Sequence, residues 1–195
     1  MADSDAALVD ALRGGDEAAF VSLVRLYHPR LLRFAETLVP SRAIAEEVVQ
    51  DTWLGVIKGI HKFEGRSSVR TWLFRVLVNR ARSAGAHEPR NVPLGPDDTL
   101  AGRFGPDDHW RDPPESWSDG VDSKLVASDL AKRVLACLPQ LPAVQRQVMT
   151  LRDVEGLDAA ETCVLLGVSV ANQRVLLHRA RSRMRSILEV EMRGS

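Results

Sequence analysis

The stretch LDAAETCVLLGVSVANQRVLLHRARSRMR, residues 157–185, decides the fold prediction for this chain of 195 residues. Asp158 is followed three residues later by Glu161, the spacing of a capping box at the start of a helix. Gly167 is expected to end that short helix and Ser169 to cap the next one, which continues for about 19 residues without proline or glycine. Two helices joined by a tight turn that contains glycine form the helix-turn-helix plan.

The second helix of this plan separates apolar from basic side chains. One face is apolar and is expected to pack on the preceding helices; its members are Leu177, Ala180, Met184 and Leu188. Five arginines lie within residues 169–185, and no acidic residue occurs from Thr162 to Leu188. The plainer interpretation is a surface helix made soluble by arginine. Solvated faces usually mix charges of both signs, however, so the pattern favours a surface that meets a polyanion.

The residues that would meet DNA follow from the geometry of the motif. In a helix-turn-helix protein the second helix enters the major groove with its N-terminal residues at the base edges. An arginine there pairs with guanine and an aliphatic side chain contacts the thymine methyl group, the roles predicted for Arg174 and Val175. The full set of predicted contact residues is Ala171, Arg174, Val175, His178, Arg179 and Arg181.

Composition divides the chain into three segments. Residues 86–123 hold six prolines, four glycines, three basic and nine acidic residues, whereas residues 1–85 and 124–195 carry net charges of +2 and +4. We therefore predict an all-α protein with two small helical domains, 1–85 and 124–195, joined by a flexible acidic linker. Trp110 and Trp117 are unusual in such a linker and are expected to dock on a partner.

Residues 1–85 are predicted to form a bundle of about four helices, from the spacing of their apolar residues. Asp16 and Ser41 are candidate N-caps, and Ser67 is predicted to cap a further helix. Pro29 is expected to kink or restart the helix in which it lies.

A second basic surface is predicted in this domain. Between Glu64 and Glu88 the chain has five arginines and no acidic residue. The loop HKFEGRSS, residues 61–68, mixes basic groups with an aromatic ring, as do surfaces that bind single-stranded nucleic acid. Phe63 either stacks on a base or anchors the loop in the core, and both interpretations stay open. Trp72 belongs to an apolar stripe and is expected to be mostly buried, with an edge within reach of DNA.

The helix before that loop has the opposite charge. Its polar side carries Glu46, Glu47, Gln50 and Asp51. Like charges at i, i+4 mildly destabilise a helix, and a cationic protein partner would justify them. The alternative is a plain solvated face. A metal site would need a histidine or further convergent carboxylates, and none is in evidence, so no metal or other cofactor is predicted.

Composition also bears on where the protein acts. No apolar run approaches the ~20 residues of a membrane span. The acidic N-terminus lacks the pattern of a signal peptide, so a cytoplasmic protein without membrane insertion is expected. Cys137 and Cys163 lack the spacing of metal ligands and are expected to be reduced core thiols.

Two longer stretches resemble a known family. AEEVVQDTWLGVIKGIHKFEGRSSVRTWLFRVLVNRAR, residues 45–82, is similar to region 2 of the extracytoplasmic-function (ECF) sigma factors of bacterial RNA polymerase. LPQLPAVQRQVMTLRDVEGLDAAETCVLLGVSVANQRVLLHRAR, residues 138–181, is similar to their region 4. The resemblance implies an alternative sigma factor, not an enzyme, that binds core RNA polymerase and recognises −10 and −35 promoter elements. An anti-sigma factor is an expected regulator by family analogy.

The resemblance also implies roles for individual residues. In the family, the VVQDTW helix binds the clamp helices of the polymerase β′ subunit, the following loop captures a base flipped from the −10 element, and the next helix lies along the adjacent duplex. Region 4 reads the −35 element and rests on the β flap. The predicted polymerase contacts are Glu47, Gln50, Asp51 and Leu54. The predicted −10 contacts are His61, Lys62, Phe63, Arg66, Ser67, Trp72, Arg75 and Asn79.

The chain departs from the family at the start of its last helix. Many members read T-V-K/R-S-R-L where this chain has NQRVLL, residues 172–177, so its −35 preference is expected to differ. A rival interpretation is a free-standing helix-turn-helix repressor or activator, which would leave Gln50, Asp51 and the 61–68 loop without a role. An enzyme that uses the carboxylates of residues 46–51 is a third interpretation, disfavoured because partner groups are missing.

Overall fold

A computed structural model of the chain describes residues 2–85 and 124–193. Within these ranges the regular elements are all helical, which confirms the all-α prediction. The α-helices are α1 Ala2–Arg13, α2 Glu17–Ala35, α3 Arg42–Gly59, α4 Val69–Ser83, α5 Lys124–Cys137, α6 Ala143–Met149, α7 Ala159–Leu166 and α8 Val170–Arg193. The predicted linker, residues 86–123, lies outside the described residues together with Trp110 and Trp117.

The first four helices begin largely where their capping residues predict. The Asp16 carboxylate accepts hydrogen bonds from the amides of Ala18 and Ala19, and Ser41 caps α3. The prediction for α4 is wrong by one residue, because the cap is Ser68 and not Ser67. The amide of Val69, the next residue, donates to the Asp5 carboxylate at 3.1 Å, which ties the start of α4 to α1.

Pro29 does not restart α2, which is one helix of 19 residues. A proline removes one backbone hydrogen bond and crowds the preceding turn. The turns after it bury Leu31, Phe34 and Ala35 completely. We infer that this packing keeps the helix continuous through the proline.

The chain forms two compact units, one of residues 1–90 with 150–167 and the other of residues 91–149 with 168–195. The core of the first unit is built around Phe34 of α2 and Phe74 of α4, whose rings meet edge to face at 5.4 Å. Both side chains are fully buried. The predicted domain boundaries at 85 and 124 stay a prediction.

Helices α3 and α4 approach each other closely at two glycines. A Cβ at Gly55 would lie 3.2 Å from Val76 Cγ1, and one at Gly59 would lie 3.3 Å from Trp72 Cζ2. Both distances are tighter than ordinary packing, so the crossing depends on the missing side chains. The spacing of four residues places both glycines on one side of α3.

The second unit is held together by α5, α6 and α8. Cys137, Val148, Ala180 and Met184 are fully buried in it. The predicted apolar face of α8 is confirmed, since all four of its members are at most 8% exposed. The helix has 24 residues and is longer than predicted.

The turn between α7 and α8 has the predicted chemistry. Asp158 and Glu161 form a complete capping box, and Gly167 ends α7 in the left-handed region at φ 67°. The Ser169 hydroxyl accepts from the Asn172 amide at 3.2 Å, as expected of a cap. Upstream, α6 passes into a π-helical turn, Thr150–Val154.

Candidate polymerase and nucleic-acid interfaces

The predicted polymerase contacts lie together on the exposed face of α3. Glu47, Gln50, Asp51 and Leu54 are all exposed, and the Leu54 side chain is 54% exposed although it is aliphatic. Ile57, one turn further on, is also half exposed. The face therefore joins two carboxylates to an apolar patch, a combination suited to a basic amphipathic partner.

Packing on the opposite side of α3 fixes this face. Val48, Val49, Thr52 and Val56 are buried there. Trp53 is buried too, and its indole Nε1 donates to His28 Nδ1 at 3.2 Å while its ring meets Phe20 edge to face. Because these residues orient the helix, the 3.6-residue period presents Gln50 and Asp51 outward.

The 61–68 loop is anchored by its aromatic residue. Phe63 is 8% exposed, and its ring lies 5.0 Å from that of Trp72. Arg13 also donates a hydrogen bond to the Phe63 carbonyl. The structure thus favours the loop-anchor interpretation of Phe63.

The basic residues of the same loop are exposed. His61, Lys62 and Arg66 face solvent, and Arg66 forms an ion pair with Glu64. Ser67 is half-buried and borders a cleft of about 680 Å³ between α1, the loop and the start of α4. Asp5, Arg13, Tyr27 and Arg70 line the same cleft. A cleft of this size has room for a small organic group such as a base.

Tyr27 marks the inner wall of that cleft. The Arg30 guanidinium lies 5.5 Å above its ring. Burial raises the pKa of the Tyr27 hydroxyl, and the positive charges of Arg70 and Arg30 oppose that rise. The hydroxyl therefore stays a neutral donor or acceptor at physiological pH.

Helix α4 continues the basic surface beyond the loop. Arg75 and Asn79 are exposed one turn apart, whereas Trp72 is half-buried against Phe63 and Gly59. Arg82 is exposed as well, and its Nη2 donates to the Leu165 carbonyl at 3.0 Å. Arg75 and Asn79 thus share one exposed stripe, as their spacing predicts.

Helix α8 presents its predicted contact residues unequally. Ala171 is exposed, and Arg174, His178, Arg179 and Arg181 are partly exposed. Val175 is 9% exposed, so its side chain offers little surface to a base in this conformation. Its predicted contact with a thymine methyl group stays a prediction.

The same part of α8 buries two polar side chains. Gln173 is 2% exposed and Asn172 is 8% exposed. Gln173 stands where the family pattern given above has valine, and this polar side chain is buried in the present chain. Arg174 is the one partly exposed residue within 172–177.

Sequence reasoning missed a group of charges in the first unit. Glu155 is 1% exposed, and its carboxylate lies 3.8 Å from Arg30 Nη1. Burial raises the pKa of the Glu155 carboxyl, and the charges of Arg30, Arg33 and Arg70 oppose that rise. No local pattern in DVEGLD distinguishes this carboxylate from a solvated one, because its arginines are more than 80 positions away.

Other candidate chemistry is limited in the part of the chain that the structure describes. Among residues 2–85 and 124–193, no group of three or more histidine, cysteine or acidic side chains could hold a metal ion. The cysteines there are free thiols; Cys137 is buried and Cys163 is partly exposed. None of the described helices is both long and apolar enough to cross a bilayer.

Comparisons with known proteins agree on one family. The family model "Sigma-70 region 2" matches residues 23–86, and "Sigma-70, region 4" matches residues 131–184. The "ECF RNA polymerase sigma-E factor" of Haemophilus influenzae is 29% identical over 181 residues, covering 91% of this chain and 92% of that protein. The protein of the same name from Escherichia coli K12 is 26% identical over 186 residues, covering 91% of each.

Two solved structures share the fold. CnrH in complex with the cytosolic domain of CnrY has a TM-score of 0.54 at 23% identity, covering 96% of this chain and 99% of that chain. RpoE in complex with the anti-sigma factor NepR from Bartonella quintana has a TM-score of 0.52 at 22% identity, covering 88% and 97%. Since two family models in the expected order account for more than half of the chain, and full-length relatives carry the same name, the chain belongs to the ECF sigma factors, which bind core RNA polymerase and direct transcription initiation at promoters.

Proposed function

We propose that this sigma factor divides its work among three surfaces. The exposed face of α3 binds the clamp helices of the β′ subunit through Glu47, Gln50, Asp51 and Leu54. Its carboxylates attract a basic helix, and its apolar patch supplies area to bury. The exposure of Leu54 and Ile57 beside the carboxylates supports this assignment, since large aliphatic side chains on a surface are common at interfaces.

The second surface recognises the −10 element. His61, Lys62, Arg66, Arg75 and Asn79 are exposed and supply contacts to phosphates and bases. Ser67 contributes from the rim of the 680 Å³ cleft, which would receive a flipped base. Phe63 and Trp72 act mainly by holding the loop in shape, as their mutual packing suggests.

The third surface is the N-terminal half of α8, which reads the −35 element. We assign four residues to base contacts: Ala171, Arg174, Val175 and His178. Arg179 and Arg181 belong to the same surface, nearer the C-terminal end of α8. Arg174 is the strongest candidate for base discrimination, because a guanidinium binds guanine through two hydrogen bonds. Region 4 is further proposed to rest on the β flap.

We propose no catalytic activity for the chain itself, since RNA synthesis belongs to the core enzyme that it binds. Its site of action would be the cytoplasm, where promoter DNA and core polymerase are found. Residues 1–85 and 124–195 would act as the two promoter-binding domains and 86–123 as their linker. An anti-sigma factor would regulate it, by analogy with the structural neighbour that was solved with NepR.

The observation that carries the proposal is that the α3 face and the α4 stripe belong to helices packed together in one unit. Polymerase binding and −10 recognition are thereby fixed relative to each other. Run-off transcription with purified core polymerase tests the function directly. A chain that binds promoter DNA but neither binds core polymerase nor initiates transcription would be a free-standing regulator instead.

The polymerase contact has its own test. Gln50→Ala combined with Asp51→Ala is expected to weaken binding to core polymerase by about tenfold, which corresponds to ~1.4 kcal/mol. Glu36→Ala is a matched control, because Glu36 is also acidic and partly exposed but lies at the end of α2 beside Arg42. Equal affinity of both variants, measured by fluorescence anisotropy, would remove the assignment of α3.

A further inference from the structure

Three arginines of the first unit lie near one buried carboxylate, that of Glu155. Arg30 forms an ion pair with it, a Cβ at the neighbouring Gly156 would lie 3.5 Å from Arg70 Nη1, and Arg33 acts on it by its charge. We call Arg30, Arg33 and Arg70 the arginine cage; Arg30 and Arg33 come from α2 and Arg70 from the first turn of α4. Glu155 enters the cage from the segment between the π-helical turn and α7, and its side chain is 1% exposed. Three guanidinium groups thus lie near one carboxylate, which leaves an excess of positive charge at this position.

The fit between cage and carboxylate is poor. Among the described residues, the only ion pair between the cage and Glu155 joins Arg30 Nη1 to Glu155 Oε2 at 3.8 Å. This distance is beyond the range of a strong charge-assisted hydrogen bond. Glu155 Oε2 and the Nε atoms of Arg33 and Arg70 are buried without a hydrogen-bond partner among the described residues. Burial also raises the pKa of the Glu155 carboxyl despite the three arginines, so desolvation costs the ionised form more than the cage returns.

Two described hydrogen bonds join α4 to the segment that carries Glu155. Thr71 Oγ1 donates to Glu161 Oε1 at 2.7 Å, and Arg82 Nη2 donates to the Leu165 carbonyl at 3.0 Å. The π-helical turn lies directly before Glu155, and such turns are frequent at functional sites. Gly156 follows at φ 67°, a conformation that favours glycine. Glu155 therefore lies between a π-helical turn and a glycine with positive φ, where the backbone departs from regular helix.

The cage adjoins the surface proposed for the −10 element. Arg70 lines the cleft beside the 61–68 loop, and Arg30 lies over Tyr27, which lines the same cleft. A DNA strand that placed a base in this cleft would bring its backbone near Arg70. We propose that the arginine cage is a binding site for a backbone phosphate of promoter DNA, occupied in the free chain by the Glu155 side chain. This inference rests on the proposed −10 role of the loop and α4.

Phosphate is the better ligand for the cage. Its non-bridging oxygens accept hydrogen bonds from several guanidinium groups at once, which is why arginine clusters recognise phosphate. A phosphate on DNA also releases counterions when it is neutralised, so the exchange gains free energy that a carboxylate on the same chain does not supply. Displacement of Glu155 would remove its ion pair with Arg30, one of the contacts that hold segment 150–167 on α2.

The first test measures attachment of the segment in the free chain by amide hydrogen exchange. Glu155→Lys introduces a fourth cation into the cage and is expected to raise exchange in 150–167 at least tenfold, with α3 unchanged. Glu155→Gln keeps the shape without repulsion and is expected to stay near the wild-type rate. Arg30→Glu added to Glu155→Lys reverses the pair and is expected to restore protection. Wild-type exchange in Glu155→Lys would overturn the role of Glu155.

The second test measures the phosphate contact in the holoenzyme. Arg33→Ala and Arg30→Ala are made in the Glu155→Gln background, where loss of an arginine leaves no buried carboxylate unpaired. Each is expected to reduce the slope of log affinity for a promoter fragment against log salt by about 0.7–0.9, the range for one phosphate contact on single- and double-stranded DNA. Arg25→Ala, an exposed arginine on α2 outside the cage, is the matched control in the same background.

The results distinguish a failure of phosphate binding by the arginine cage from a failure of −10 recognition by the loop and α4. If Arg30→Ala and Arg33→Ala both give the slope of Arg25→Ala while Arg75→Ala reduces it, the cage binds no phosphate and the −10 role of α4 stands. If Arg75→Ala also leaves the slope and the affinity unchanged, the −10 role itself fails. Arg30→Ala is included beside Arg33→Ala because the Arg30 side chain is 37% exposed. Its loss therefore disturbs folding less than the loss of a buried residue.

Discussion

Helices α4 and α8 have similar arginine content, yet they expose it differently. α4 carries four arginines in 15 residues and α8 carries six in 24. On α4 the helical period separates the two sides cleanly, with Phe74 and Leu77 fully buried and Arg75 and Asn79 exposed. In the N-terminal half of α8, Asn172, Gln173 and Val175 are buried instead, although two of them are polar. The charge pattern of a sequence therefore locates a basic helix but does not predict which of its side chains are exposed to solvent.

The largest expected effect concerns the core under α4. Phe74→Ala is expected to lower the free energy of unfolding of the first unit by about 3–5 kcal/mol, because it leaves a cavity against Phe34. Met184→Ala on α8 is the counterpart, with an expected loss of about 2–5 kcal/mol. Urea denaturation measures both. A loss below 1 kcal/mol for Phe74→Ala would mean that α4 is not anchored as the structure indicates.

The next effect compares base recognition by the two helices. Arg174→Ala is expected to weaken the preference for one −35 base by ~1–3 kcal/mol, while other −35 positions keep theirs. Arg75→Ala is expected to act at the −10 element and leave −35 preferences unchanged. Affinities of the holoenzyme for single-base variants of a promoter check both. A uniform loss across all −35 variants would make Arg174 a phosphate contact.

A smaller effect tests the covered part of α8. Val175→Ala is expected to lower the free energy of unfolding by about 1–2 kcal/mol, because two buried carbon groups are removed. Its effect on −35 preference is expected to be smaller than that of Arg174→Ala. Thermal unfolding and the same promoter series provide the two readouts. Unchanged stability with a lost thymine preference would show that Val175 reaches the base after all.

The smallest effect concerns pH and the carboxylate beside α4. Since burial raises the pKa of Glu155, the folded chain takes up this proton at a higher pH than the unfolded chain. The stabilisation from this proton is therefore present at low pH and is lost as pH rises through the folded pKa. As pH falls through the folded-state pKa, the wild type is expected to gain stability relative to Glu155→Gln, which has no carboxyl to titrate at this position. Parallel unfolding curves of the two proteins at every pH would contradict this.

Local capping rules predicted most of the helix ends correctly, because a cap depends on a few neighbouring residues and not on distant packing. Asp16, Ser41, Asp158 and Gly167 mark helix ends because a cap satisfies backbone groups within a few residues. Ser68 and not Ser67 caps α4, and a carboxylate distant in sequence, that of Asp5, accepts from the amide of the next residue, Val69. Ser67 and Ser68 both satisfy the N-cap preference for serine. That preference takes no account of the contact between Asp5 of α1 and the Val69 amide.

By itself, the sequence determined an all-helical chain, its basic and acidic faces, and a family whose two regions occur in order. These features depend on residue type and short spacing, and both can be read along the chain. Only the tertiary structure decided that Val175 and Gln173 are covered, that Phe63 packs on Trp72, and that Glu155 lies among three arginines. Burial and long-range electrostatics arise between residues far apart in sequence, so no local pattern encodes them.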